Sequence, residues 1–428
     1  MKSKIYTFVA LLATIITGNL TATGQQAGMA YDTIYMGASY KNEVYYSMSA
    51  GNQGAVDRKQ WDIAFRANWM SASILTNDGV GVELYTYPKS DTSGWLAVDT
   101  AGIKNWKKMV NSTTDWETGA FCQNQIKHPD YGWGVYDNFT HSVVGDSLFI
   151  IKLLDGSFRK LWIIQKISSD NAFEIRFAKL DGTDDTKALV DCAPYAAKNF
   201  VGYSITSKQV VDFEPVISSK WDILFTKYVY TYPVGSPNYG SIYTVTGVLS
   251  NYKVKVTKLE HVSTDTIVAG LPAMDGSRSP IGWEWKTFSG SFKVTDSLVY
   301  FVQDISGTIH RLIFKEFKGS STGRIVLEKG LNTFTGVNEN PKSGFNAAVY
   351  PNPVNEVMNL VINPGKARFA VVSLLDISGR TVLSKRYDIQ AEELSTLQIP
   401  VSELPSGIYM VKIQAGGNVI SRKVIVNN

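Results

Sequence analysis

Few residues in this chain can do chemistry. There are two cysteines, Cys122 and Cys192, and four histidines, His128, His141, His261 and His310. No histidine pair stands at helical spacing to hold a metal, no phosphate-binding loop occurs, and neither cysteine lies in a recognisable catalytic context. The sequence therefore predicts a protein that is not an enzyme. Two carboxylates recur, Asp62 and Asp222, each directly after a tryptophan. In a strand, such a carboxylate is expected to cap a turn or accept a hydrogen bond rather than move protons. In an oxidising compartment Cys122 and Cys192 are able to pair, and closing that loop stabilises by about 4 kcal/mol in the chain-entropy view. Two isolated cysteines make no metal site.

The elements that must position these groups are repeated. Trp61-Asp62-Ile63-Ala64-Phe65 returns as Trp221-Asp222-Ile223-Leu224-Phe225. Trp, Ile and Phe alternate there with Asp and a small or apolar residue, the period-2 pattern of a half-buried strand. Further matches follow in the same order. Gly132-Trp133 is answered by Gly282-Trp283, Asp146-Ser147-Leu148 by Asp296-Ser297-Leu298, and Gly156 with Leu161 by Gly307 with Leu312. Fixed order at near-constant spacing is the mark of a tandem duplication. The repeated tryptophans Trp61, Trp133, Trp221 and Trp283 are expected to be core residues.

At 428 residues the chain is too long for one ordinary core, so two or three domains are expected. An apolar fraction of 44% with 19% charged residues is that of a folded protein. Aromatic residues at 12%, with 35 glycines, favour an all-β class. The net charge of +4 is spread over mixed signs, with no basic stripe and no aromatic RNA-binding signature. Nucleic acid is excluded as an expected partner.

Lys2 and Lys4, the mostly apolar run 5–16 and Ala22-Thr23-Gly24 read as a signal peptide over 1–24, cleaved before Gln25. The run is shorter than a membrane span requires, and no later stretch is long enough. No cysteine follows the apolar run to carry a lipid. The expectation is a soluble protein exported through the periplasm, without a transmembrane segment.

Along the chain, strands are expected at 42–49, 61–65 and 79–87, with a polar loop at 50–60. Residues 88–131 read as long irregular loops. A meander follows at 133–139, 147–152, 159–166 and 173–177. The second copy has expected strands at 220–226, 241–249, 283–288, 297–304, 309–317 and 324–327. The expected class is all-β, with two tandem related antiparallel β domains followed by a small Ig-like β-sandwich. The boundaries along the chain are 25–190 for copy one, 191–331 for copy two, 332–345 for a polar linker and 346–428 for the sandwich.

Residues 346–428 open with Tyr350-Pro351-Asn352-Pro353. They continue through Asp376-Ile377-Ser378-Gly379-Arg380 and Leu404-Pro405-Ser406-Gly407-Ile408-Tyr409, and end on Arg422-Lys423-Val424-Ile425-Val426. Several motifs in this order closely resemble the C-terminal sorting domain (type A) of type IX secretion cargo in Bacteroidetes. The resemblance implies that Pro351, Asn352, Pro353, Gly379, Arg380, Gly407, Tyr409 and Lys423 form a sorting signal read by the secretion machinery. It implies passage across the outer membrane, removal of the domain, and release or attachment to surface lipopolysaccharide.

The repeated body resembles the HmuY family of haem-binding haemophores. The match rests on Trp61–Phe65 with Gly132-Trp133, and on Trp221–Phe225 with Gly282-Trp283, Val299-Tyr300-Phe301-Val302 and Gly307. Unlike many members of that family, this chain is duplicated and lacks a lipid-bearing cysteine. The resemblance implies haem held by a pair of histidines or methionines, since imidazole nitrogen and thioether sulfur both donate to iron. His141, in the loop after Gly132-Trp133, is the first candidate, with His128 and Met109 as its partners. Copy two offers Met274 and His261 in comparable loops, while His310 is expected on a solvated strand face.

Two functions are therefore expected of an extracellular or outer-membrane surface protein. One is a binding protein for haem or a related porphyrin. The other is a structural or interaction protein without an iron site, such as a glycan binder using exposed Trp95, Trp106 and Trp116.

Overall fold

Trp61 and Trp221 each open a strand that is buried on both faces. In the computed structural model, which describes residues 29–260, 271–332, 345–391 and 393–428, these strands run Ile63–Arg66 and Ile223–Thr231. Ile63 and Phe65 point into one apolar core, while Trp61 and Ala64 point into another. Ile223 and Phe225 likewise part from Trp221 and Leu224. The half-buried strand expected from the alternation is thus corrected to a fully buried one. The polar Asp that breaks the apolar run is itself hydrogen-bonded, and both sheet faces are covered.

The fold is all-β, and the body forms two lobes. The first stacks an eight-stranded sheet, whose main path runs 186–191, 172–179, 158–167, 148–152, 83–86 and 108–109, on a four-stranded sheet of 209–211, 200–204, 63–66 and 74–76. Phe121, Trp133, Phe149, Phe173 and Phe177 fill the space between them. The second lobe stacks a five-stranded sheet of 30–35, 324–331, 309–317, 298–303 and 255–260 on a four-stranded sheet of 242–250, 223–231, 42–47 and 51–57. Tyr46, Phe225, Trp285, Tyr300 and Phe314 fill this core. The outer faces of the two four-stranded sheets then pack on each other through Tyr45, Trp61, Trp116, Phe200, Phe213 and Trp221. Each buried aromatic withdraws on the order of 150–250 Å² from water, which makes this layer a major adhesive between the lobes.

The lobes do not follow the repeat along the chain. The hairpin Asn42–Ser47 with Gly51–Asp57 lies just before the Trp61 strand, yet it pairs with the Trp221 strand in the register Tyr46 to Ile223. The hairpin Phe200–Ser204 with Gln209–Val211 lies just before the Trp221 strand, yet it pairs with the Trp61 strand in the register Tyr203 to Ile63. Ala30–Tyr35 also crosses, to pair with Arg324–Leu331. Each repeat therefore gives its leading strands to the other lobe.

Several expected elements shift. The loop at 50–60 is mostly the strand Gly51–Asp57. The stretch 79–87 divides into a 3-10 turn at Asp78–Val80 and a strand at Glu83–Thr86. The strand expected at 283–288 begins later, at Lys286–Ser289. The signal peptide and His261 lie outside the described residues, as does nearly all of the linker.

Residues 345–428 form their own sandwich. A three-stranded sheet of Phe345–Tyr350, Val357–Pro364 and Ser395–Pro400 faces a four-stranded sheet of Thr381–Asp388, Phe369–Leu375, Gly407–Ala415 and Asn418–Val426. Its core includes Met358, Leu360, Val372, Leu374, Val411 and Ile413, all fully buried.

Candidate functional site

A cleft of about 720 Å³ lies where the lobes meet. One wall is the loop 110–114 of the first lobe. The other is the long hairpin built on Ile223–Thr231 and Ile242–Ser250, with the Gly282-Trp283 segment. The loop is held in place by contacts between the lobes. Arg278 donates to the Ser112 carbonyl at 2.8 Å and stacks on the Trp116 ring at 4.3 Å. Ser279 donates to the Thr113 carbonyl at 2.8 Å, and Trp116 Nε1 donates to the Ser250 carbonyl at 3.0 Å. Gly282 comes close because Gly247 has no side chain. A Cβ at Gly247 would stand 2.5 Å from the Gly282 oxygen, which instead accepts a hydrogen bond from Val248 at 2.9 Å.

The cleft is lined mainly by aromatic and neutral polar groups, with Lys258, Glu260 and Glu284 among them. Tyr230 meets Tyr232 edge-on at 5.4 Å and Trp283 at 5.8 Å. At the floor, Tyr228 is only 5% exposed, and burial raises its hydroxyl pKa well above the ordinary tyrosine value. Its hydroxyl and Trp283 Nε1 have no hydrogen-bond partner among the described residues. Asn111, Ser112, Thr113 and Gln123 stand opposite. Such a surface stacks on the C–H face of a ring and hydrogen-bonds to its hydroxyls.

The expected iron ligands fall elsewhere. His128 and His141 are both exposed, and they flank one ring. Tyr136 lies 5.3 Å from His128 by ring centroids, and its hydroxyl is 2.8 Å from His141 Nδ1. Apolar side chains stand exposed on the same segment, including Ile126, Phe139 and the cross-strand pair Val135 and Val144. Met109 does not join them, being 1% exposed in the core of the first lobe. Met274 packs beneath the second lobe's five-stranded sheet. No group of three or more metal-ligating side chains occurs among the described residues.

Other expectations change. His310 is not solvated. It is buried, with Nε2 2.7 Å from Asp304 Oδ2, because its strand is covered on both faces. Trp95 and Trp116 are buried rather than exposed. Trp95 is covered by Lys160 and Arg176 over its ring, and Trp116 lies in the layer between the lobes. Trp106 is half-buried. Trp133 is fully buried, but its counterpart Trp283 lines the cleft and Trp285 takes the core position. Cys122 and Cys192 are free thiols, each hydrogen-bonded to a backbone carbonyl, and burial pushes each up to about 12.

Two kinds of residue went unread in the sequence. Asn77 donates to the Arg58 and Trp61 carbonyls at 2.7 and 2.8 Å, and Asn251 donates to those of Ser218 and Trp221 at 2.7 Å each. Their shared position directly after a strand was the available signal. Gly319-Ser320-Ser321-Thr322-Gly323 has the spacing of a nucleophile turn. It is a tight link between antiparallel strands, however, and Ser321 donates to the Lys318 carbonyl at 3.1 Å.

The residues expected to form the sorting signal take different places in the tail. Asn352 accepts from the Ile425 amide at 2.8 Å and donates to the Lys423 carbonyl at 3.1 Å, tying the entry of the domain to its last strand. Tyr409 donates to the Pro405 carbonyl at 2.8 Å, fixing the turn that contains Gly407. Gly379 takes a positive φ of 83° in the turn where Arg380 bonds Asp376 at 3.1 Å. Pro351, Pro353, Gly379, Arg380 and Lys423 are exposed.

Residues 348–427 match the family model for the secretion system C-terminal sorting domain. The tail is thus a type IX sorting domain, which implies interaction with the secretion machinery and export to the cell surface or extracellular space. No helix among the described residues is long and apolar enough to cross a membrane. No curated protein matches the chain. Among solved structures, PorZ, a surface component of the type IX secretion system of Porphyromonas gingivalis, is 10% identical over 68% of this chain, with a TM-score of 0.16. The chain spans 44% of that protein's length. The trimeric ectodomain of the C. elegans fusion protein EFF-1 is 7% identical over 93% of this chain and 89% of its own, with a TM-score of 0.17. Scores this low establish no shared fold.

Proposed function

We propose that this protein is carried outward by its sorting domain and binds carbohydrate at the cell surface, in the cleft between its lobes. The observation that carries the reading is the cleft floor. There Trp283, Tyr230 and Tyr232 present aromatic surface across from neutral amide and hydroxyl side chains, with Tyr228 buried at the base. Sugars offer the matching chemistry, with an apolar ring face and a rim of hydroxyl acceptors and donors. The reading is of binding without catalysis. It includes a signal peptide at 1–24 and, after removal of the tail, attachment to surface lipopolysaccharide. Screening the exported protein against a glycan array tests it. Saturable binding lost in Trp283→Ala supports it, and an array with no saturable binding refutes it.

A second reading rests on a different observation. His128 and His141 flank Tyr136 on a segment that exposes Ile126, Phe139, Val135 and Val144. Two imidazoles beside an apolar surface are the donor set for haem, and these two residues would hold its iron. Haem titration distinguishes the readings. A saturable Soret band shifted by His141→Ala favours haem, and a broad, non-saturating absorbance eliminates it.

A further inference from the structure

We infer that the cleft holds the end of an extended, uncharged glycan chain rather than a single sugar, an inference that rests on the carbohydrate reading. Tyr228 and Tyr230 occupy alternate positions on one strand, and Tyr232 follows just past its end. Alternate residues share a face and stand roughly 7 Å apart. All three line the cleft. Their burial falls in order. Tyr228 is 5% exposed, Tyr230 and Tyr232 are half-buried, and Tyr239, at the hairpin tip, is 65% exposed. The aromatic path therefore runs from a closed floor to an open mouth. A ligand that follows this path enters end-on, with its terminal unit against Trp283 and Tyr230 above the buried Tyr228 and later units passing outward over Tyr232 and Tyr239. The Tyr230 and Tyr232 rings are turned by 80°, which suits successive sugar rings that rotate along a chain.

Charge sets the class. Lys258 is neutralised by Glu260 at 2.6 Å. Glu284 is exposed in the cleft lining and forms no ion pair with any described residue. Among the described residues the site thus carries a carboxylate without an ion-pair partner, which repels sugar acids and accepts from neutral hydroxyls.

The test is calorimetry on the full exported chain with uncharged hexose oligomers of graded length and the same oligomers ending in a uronic acid. Affinity is expected to rise about tenfold from one unit to three, the scale of one good aromatic contact, and then level off. Uronate-ended chains bind more weakly, and Glu284→Gln removes that difference. Tyr239→Ala and Tyr232→Ala, both at the rim and clear of either core, lower the three-unit affinity about tenfold. Equal affinity for one and three units, or preference for uronate ends, overturns this inference and leaves the carbohydrate reading standing. Failure of every oligomer to bind overturns the reading itself.

Discussion

The carboxylate of Asp222 accepts a hydrogen bond of 2.7 Å from the backbone amide of Met48, a residue 174 positions earlier. Asp62 does the same at 2.7 Å for Ile205, 143 positions later. Each repeated Asp thus holds the turn of a hairpin supplied by the other repeat, and the two bonds tie the crossed strands in place.

Truncating either carboxylate leaves a buried amide without its acceptor. Asp222→Ala and Asp62→Ala are each expected to destabilise by about 1.5–3 kcal/mol, the range for hydrogen bonds to charged groups. Asp→Asn is expected to cost less, because an amide oxygen still accepts. Urea denaturation of the four variants checks this, and an alanine variant as stable as the parent would refute it.

The all-β class and the sorting sandwich were legible in the sequence because each rests on local pattern. Trp, Ile and Phe in alternation specify a strand whichever partner it takes. The exchange was not legible, because Asn42–Ser47 and Phe200–Ser204 carry equivalent apolar faces that fit either Trp strand. Partner choice is a long-range property, set by the packing of Tyr45, Trp61, Phe200 and Trp221 in the layer between the lobes. The cleft was illegible for the same reason. Its walls come from residues 110–114 and 228–300, and Tyr228, Tyr230, Tyr232 and Tyr239 belong to no motif.

Glu214 gives this interface a pH dependence. It is buried and accepts from the Asn199 and Phe200 amides at 3.0 and 3.1 Å, yet burial pushes it up to about 8. A carboxyl with a folded pKa above its unfolded one adds stability that is complete below the unfolded value and is lost as pH rises through the folded one. Between pH 5 and 8 the parent should therefore lose stability relative to Glu214→Gln, at about 1.4 kcal/mol per pH unit at most. Paired urea titrations across that range check the sign. A constant gap between the two proteins would show that Glu214 does not titrate there.

Both thiols are expected to be inert in the native protein. Cys122 and Cys192 are 1% and 0% exposed, and burial raises each pKa, so neither thiolate nor access is available. Iodoacetamide at pH 8 should label neither before denaturation and both after it, as read by mass spectrometry of unreduced protein. A mass showing that the two cysteines had formed a disulfide would contradict the free thiols.

In the tail, folding and sorting should separate by mutation. Asn352→Ala removes two of the bonds that tie the entry of the sandwich to its last strand and should destabilise it by about 1–2 kcal/mol. Arg380→Ala and Lys423→Ala alter exposed side chains and should change stability by about 0.5 kcal/mol or less. A loss of export in the latter two, with thermal melting unchanged, assigns their side chains to recognition by the secretion machinery. Export at the parental level in both would remove them from the signal.

The crossed strands make a final prediction about the chain itself. Ala196 and Ala197 are exposed in the short connection that follows Thr186–Asp191 and precedes Phe200–Ser204. A single cut there separates the repeats covalently, yet each fragment still contributes strands to both lobes. Ile63–Arg66 stays paired with Phe200–Ser204, and Ile223–Thr231 stays paired with Asn42–Ser47. The nicked protein should therefore elute as one species under native conditions and split only in denaturant. Expressed alone, the fragment ending at Ala196 has its Trp61 strand without the hairpin partner from 200–211, so it is expected to remain unfolded until mixed with the other. Native size-exclusion chromatography with circular dichroism reads both outcomes. Fragments that part without denaturant, or that fold fully alone, would show that each repeat closes on its own strands.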